Sequence, residues 1–308
     1  MLQAPKSAGK AACRTEPARP RRPAPRLNAM MACDTAFRVV ALRYLDDLNA
    51  NHEATCAGDP GALHQMRIAL TRLRTAIVFF TPMVADTGRA RIRNELKWLN
   101  SHLGAVRDLD VAIERLKTVK TRQLQTSDYY RSWSEKRADS HRHLARALRS
   151  VRYRRLIKNT SDWIENGPWS TAKGKQAVKQ RASAIAAYSA GKLAQWHKRI
   201  LKKSRKLLKM EAEKRHRLRL LNKKLSYSIE SFEDLFPDKR FLTQQTALKH
   251  LRKAQRSLGQ LNDDAKGHSL ATALQRDGVH ASLHFLSPKR EKRLLRTAAA
   301  AYRKLAAL

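Results

Sequence analysis

His64-Gln65-Met66-Arg67-Ile68-Ala69-Leu70-Thr71-Arg72-Leu73-Arg74, running on to Phe80, has an echo in the second half of the chain. There the sequence reads His216-Arg217-Leu218-Arg219-Leu220-Leu221-Asn222-Lys223-Lys224-Leu225-Ser226 and runs on to Phe232. His, Arg, a second basic residue, Leu and a distal Phe recur at offsets 0, 3, 8, 9 and 16. Downstream, Leu103-Gly104-Ala105-Val106-Arg107-Asp108 is matched by Leu258-Gly259-Gln260-Leu261-Asn262-Asp263. The spacing from His to Gly is 40 residues in one copy and 43 in the other, so a whole supersecondary unit repeats. Lys97, before the first Gly, has its counterpart in Arg252.

Helical geometry sorts these residues into faces. At about 100° per residue, His64, Arg67, Thr71 and Arg74 share an arc of about 80°, with Arg72 on its flank. Met66, Ala69, Leu70, Leu73, Ile77 and Phe80 cover the opposite side. In the second copy, His216, Arg219 and Lys223 form one stripe, and Leu218, Leu221, Leu225, Ile229 and Phe232 form the other. Each helix is therefore expected to bury an apolar stripe and to present a His/Arg/Lys stripe elsewhere.

Working outward, nothing alternates with period two over the length of a strand, and no Asn-Gly or Asp-Gly turn joins two apolar runs. Asp277-Gly278 lies between helical segments. Long stretches are rich in Ala, Leu, Lys and Arg, all strong helix formers. Helices are predicted near 35–55, 60–81, 88–103, 107–119, 128–149, 151–166, 176–208, 212–235, 240–258, 262–276 and 287–306. Asp59-Pro60 reads as an N-cap followed by the first helical residue. Gly104 and Gly259 read as helix ends or points of tight approach. The fold class expected is all-α, an internally duplicated helical bundle with two four-helix-bundle-like halves about a pseudo-twofold axis. The halves are expected at about 35–125 and 126–308. Five of the ten prolines fall within the first 25 residues, among arginines, so residues 1–34 are expected to be a disordered tail.

Charge narrows the function. Among 308 residues, 64 Lys and Arg face 26 Asp and Glu, which leaves a formal charge of +38. Hydrophobic residues make up 42%, enough for a packed core, so the excess charge belongs to a surface and calls for a polyanionic partner. No run approaches the roughly 18 apolar residues of a membrane span, and the first 30 residues lack the apolar region of a secretory signal. Cys13, Cys33 and Cys56 have no paired spacing, which argues against a disulfide framework or a zinc site. A reducing, cytoplasmic setting is expected.

His-x-x-Arg-x(4)-Arg-Leu-Arg over His64–Arg74, then Leu-Gly-x-x-Arg-Asp-x-Asp over Leu103–Asp110, then a weaker second copy, resembles the CHAD domain (conserved histidine α-helical domain). Asp59 to His64 also resembles that family's entry into its second helix. The resemblance covers roughly residues 35–308. It implies a basic central surface that binds inorganic polyphosphate, often at polyphosphate granules. Two departures stand out: Ser226 replaces a basic residue of the family pattern, and Asn262 replaces the Arg found at Arg107. No Glu-x-Glu-x-Lys element or β-rich segment accompanies it, so a protein without the CYTH domain that many family members carry is expected.

The candidate polyphosphate-binding residues are His64, Arg67, Arg72, Arg74, Lys97, Arg107, His216, Arg219, Lys223, Lys224 and Arg252. Arginine offers forked contacts to phosphate oxygens and lysine compact point charges. The two histidines either meet phosphate or bond a neighbouring carbonyl. Asp108 and Asp110 could hold a metal or act as a general base, or could cap a helix and pin bases by ion pairs. Lys198–Lys209 either extends the basic surface or, more plainly, is an amphipathic helix with Ile200, Leu201, Leu207 and Leu208 inward and its lysines snorkelling. No nucleophile–base constellation is present, so a non-enzymatic module without cofactor or metal is expected. Nonspecific nucleic-acid binding is the alternative, and a metal-dependent polyphosphate-processing enzyme the remoter one. The scattered Trp and Tyr form no platform for stacking bases.

Overall fold

Asp59 starts the helix that carries the first copy of the repeat. Its Oδ1 accepts from the backbone N–H groups of Gly61 (2.6 Å) and Ala62 (3.1 Å), and Pro60 takes a position where a missing N–H costs nothing. The computed structural model describes residues 26–117, 128–236, 239–276 and 285–308. Among these the regular elements are helices: α1 (Cys33–Ala50), α2 (His52–Cys56), α3 (Pro60–Phe79), α4 (Thr87–Lys117), α5 (Asp128–Arg149) and α6 (Val151–Asn166). They continue as α7 (Lys175–Ala182), α8 (Ile185–Ser204), α9 (Ala212–Ser231), α10 (Lys239–Arg276) and α11 (Pro288–Ala306). The all-α expectation holds. The tail before Arg26 and the Asp277-Gly278 pair lie outside the described residues.

Two rings of helices emerge from the packing. α1, α3, α4 and α6 close one ring, and α8, α9, α10 and α11 close the other. α3 packs against α9 and α1 against α8, so the rings share one hydrophobic core. The repeated phenylalanines meet there. The ring of Phe232 lies 4.8 Å from Phe79 and 6.0 Å from Phe80, and Phe80 stacks on Tyr188 at 5.5 Å. Met66, Leu70, Leu73, Leu218, Leu225 and Ile229 are buried, as their helical faces require. Asn222, fully buried, donates to Leu251 O and Gln255 Oε1 and accepts from the Tyr302 hydroxyl, which ties α9 to α10 and α11.

Several boundaries differ from the sequence reading, each for a tertiary reason. α4 and α10 run straight through Gly104 and Gly259, where helix ends were expected. A mid-helix Gly costs only about 1 kcal/mol. Buried residues on both sides, Leu99, Leu103 and Val106 in α4 and Leu258 and Leu261 in α10, hold the helix across it. The predicted 176–208 helix breaks at Ser183 and Ala184, whose extended backbones meet the N-terminal segment instead. Ser183 O accepts from Cys33 N, and Ile185 N donates to Met31 O. That pairing also draws residues 29–34, expected to be part of the tail, onto the body of the protein. Leu208, expected to face inward, is 55% exposed because α8 stops at Ser204. Finally, α5 and α6 lie past residue 125 yet pack chiefly against α1, α2 and α4. Trp163 of α6 meets Phe37 of α1 edge-on at 5.9 Å, a partner that amphipathic periodicity alone does not name.

Candidate anion-binding site

α3 and α9 carry their basic stripes to adjoining positions. His64, Arg67, Arg107 and Lys223 lie within electrostatic reach of one another, and Arg219 and Asp263 act on Lys223 as well. Burial, reinforced by the cations Arg219 and Arg67, pushes the Lys223 amine down to about 8. Arg67 is largely buried, and burial weighs against its charge; Asp108 opposes that effect and Arg107 adds to it. Its Nη1 is buried with no hydrogen-bond partner among the described residues, and so is Nε of Arg219, the residue at the same place in the second copy. A Cβ added at Gly104 would lie 3.4 Å from Arg67 Nη1, so the guanidinium lies beside α4 at a distance an added methyl would only just touch. At Gly259 nothing comes within 4 Å of that position, so no tight approach explains the second glycine.

A second cationic group continues the surface. Lys224, driven down by burial, feels Arg74 beside it and Arg199 from α8. Arg74 is itself shifted down by burial. Arg199 belongs to the Lys198–Lys209 segment, the basic stretch that the sequence offers as an extension of the cationic surface.

The two repeated histidines have different surroundings. His216 Nδ1 lies 2.7 Å from Asn262 Oδ1, so that ring is oriented by an amide oxygen. His64 is exposed and faces Arg107, the residue that Asn262 replaces. Its proton is disfavoured, first by desolvation and then by Arg107, Lys223 and Arg67. One histidine is thus pinned, and the other stands among cations.

Arg72 and Arg252 are placed differently from the rest. Both donate to Glu230 of α9, Arg72 Nη2 at 3.1 Å and Arg252 Nη2 at 3.0 Å. Arg72 also lies over the rings of Tyr227 (5.3 Å) and Tyr44 (5.9 Å). Lys97 is exposed on α4, and its carbonyl accepts from the Ser101 hydroxyl.

Asp108 and Asp110 are both engaged in ion pairs. Asp108 bridges α4 to α10 through Lys266 Nζ at 2.6 Å. Asp110, buried, accepts from Arg137 Nε at 2.6 Å, with His141 Nε2 3.0 Å away, which fastens α5 to α4. Among the described residues, no group of three or more His, Cys, Asp or Glu side chains is arranged to hold a metal ion. No helix there is long and apolar enough to cross a membrane.

Comparison with known proteins adds the family to this all-helical fold. A family model described as the CHAD domain matches residues 40–272. The chain belongs to the CHAD domain family. No CYTH domain is detected with it. The CHAD domain crystal structure from the plant Ricinus communis is similar, with 24% identity and a TM-score of 0.71, over 95% of this chain and 93% of that one. PptA from Streptomyces chartreusis is similar at 14% identity and a TM-score of 0.56, over 90% of this chain and 96% of that one. No curated protein matches. At these identities the two structures show the CHAD fold. The CHAD domain is associated with polyphosphate binding in general.

Proposed function

We propose that this chain binds inorganic polyphosphate along the surface between α3 and α9, as a non-enzymatic module that joins polyphosphate granules. His64, Arg67, Arg74, Arg107, Arg219, Lys223 and Lys224 form the contact track. The two helix rings are read as duplicated halves about a pseudo-twofold axis that brings both stripes to one groove.

One observation carries the reading. Arg67 and Arg219, at matching places in the repeat, each hold a buried guanidinium N–H that no described group accepts. Buried donors of this kind are normally paired, and an unmade bond costs about 1–3 kcal/mol. A chain of phosphate oxygens supplies closely spaced acceptors with the charge that the surrounding cations lack. Asp108 and Asp110 are committed to ion pairs, which favours binding over turnover.

The test is binding of long-chain polyphosphate to the wild type and to Arg67→Ala/Arg219→Ala across a salt series. Two lost contacts should weaken binding and flatten the slope of log K against log salt by about 1.5. An unchanged slope, or failure of polyphosphate to displace duplex DNA at matched phosphate concentration, would overturn the proposal.

A further inference from the structure

Glu230 sets the end of the phosphate track: we infer that its carboxylate takes the place of the next phosphate between Arg72 and Arg252 and so fixes how much of a bound chain the protein holds. This inference rests on the polyphosphate reading of the track.

The observations connect in order along α9. Arg219 stands on the track, where its charge acts on Lys223. Both Arg219 and Arg72 also act on the Tyr227 hydroxyl, which burial otherwise drives upward; Tyr227 follows Arg219 by about two turns of α9, and Arg72 lies over its ring at 5.3 Å. Beyond Tyr227, Arg72 and Arg252 converge on the two oxygens of one carboxylate, Oε2 and Oε1 of Glu230. Two guanidinium groups placed on separate oxygens of one anion is how a phosphate would be gripped. Glu230 is 23% exposed, whereas Arg252 is 59% exposed, so the acid sits deeper than one of the bases it holds. Arg72 still has its Nε buried and without a partner among the described residues, a donor the carboxylate leaves over. The clasp itself forms one wall of a cavity of about 440 Å³, where Arg72, Glu230 and Arg252 are joined by Arg43, Arg26, Glu233 and Asp234.

The charge sequence along the surface is therefore net basic up to Tyr227, where Asp108 and Asp263 are outnumbered by cations, balanced at Glu230, and mixed around the cavity. A phosphate chain leaving Arg219 meets a fixed negative charge in the position its next unit needs. Like charges so placed repel, and the two arginines there contribute nothing to the wild-type affinity. At the Lys224 end the charges that act on the amine are cations, Arg74 and Arg199. The track is thus closed where Glu230 stands.

Glu230→Gln tests this, because it keeps the volume and removes the charge. Long-chain polyphosphate should bind about tenfold tighter, with a salt slope steeper by about 1.5 as two guanidinium groups become available. Tripolyphosphate, short enough to stay on the existing track, should change much less. Arg252→Ala, at an exposed side chain, keeps the proposal testable should Glu230→Gln fold poorly. It should leave wild-type affinity nearly unaltered, and should erase the gain when added to Glu230→Gln. Equal or weaker binding by Glu230→Gln, or a large loss in Arg252→Ala alone, overturns the inference and makes Glu230 a structural tie between α3, α9 and α10. If wild type and Arg67→Ala/Arg219→Ala bind alike, the track itself is wrong and the inference falls with it.

Discussion

Replacing Arg67 by Met should separate what this residue does for folding from what it does for binding. The methionine keeps the unbranched aliphatic stem that packs beside α4 and removes only the guanidinium. In the wild type Nη1 is buried without a hydrogen-bond partner among the described residues, and burial weighs against the charge it belongs to. An unmade buried bond costs about 1–3 kcal/mol, part of which Asp108 offsets by its charge, so Arg67→Met should gain about 1 kcal/mol of stability. For a chain of this length that corresponds to a rise in Tm of about 2 °C. Binding should move the other way. Loss of one charge-assisted contact, worth about 2 kcal/mol, weakens polyphosphate binding roughly thirtyfold and lowers the salt slope by about 0.8. Differential scanning calorimetry with and without saturating polyphosphate reads both quantities, since ligand raises the wild-type Tm by linkage more than that of the variant. A variant that is less stable than the wild type yet binds as tightly would show that the guanidinium is structural and would refute the reasoning.

Two further outcomes follow from the site. The free protein disfavours a proton on His64 and bound phosphate favours it, so protons are taken up on binding. Affinity should accordingly rise as pH falls through the histidine range, by at most about tenfold per pH unit for one group. Titrations of affinity against pH should lose this dependence in His64→Gln; a dependence that the substitution leaves unaltered would show that the effect does not belong to His64. Asp110→Ala should lower stability by about 3 kcal/mol in thermal or denaturant unfolding, because it strands Arg137 and His141, while polyphosphate affinity stays the same; a selective loss of affinity would give Asp110 a role in the site.

The parts of the molecule visible in its sequence are those encoded within one helix. The face that buries Met66, Leu70 and Leu73, its echo at Leu218 and Leu225, and the Asp59 cap all follow from local spacing. Continuity across Gly104 and Gly259 does not, because a local breaker is overruled by leucines that pack on both sides of it. The break at Ser183 is equally silent, since it answers to the backbone of residues 29–33 more than a hundred positions away. The same distinction applies to the site. A stripe marks His64 and His216 alike, but their surroundings diverge through Arg107 and Asn262 on other helices. Arg72 and Arg252 look like free cations until α3, α9 and α10 come together around Glu230, and the basic run that holds Arg199 has no stated neighbour until α8 lies beside Lys224.

The shared aromatic core has a consequence of its own. With Phe79, Phe80, Tyr188 and Phe232 wedged where the two rings join, the cations on α3 and α9 are mounted on a stiff frame, and the ligand is the partner that must conform. A flexible chain pays its ordering entropy only over the few units that lie on that frame. On the proposed reading the rest stays in solvent, and any stretch of a long polymer can be the one that lies on the track, so the same short imprint recurs in many overlapping registers. Apparent affinity per chain then grows with length by statistics alone, without one additional contact.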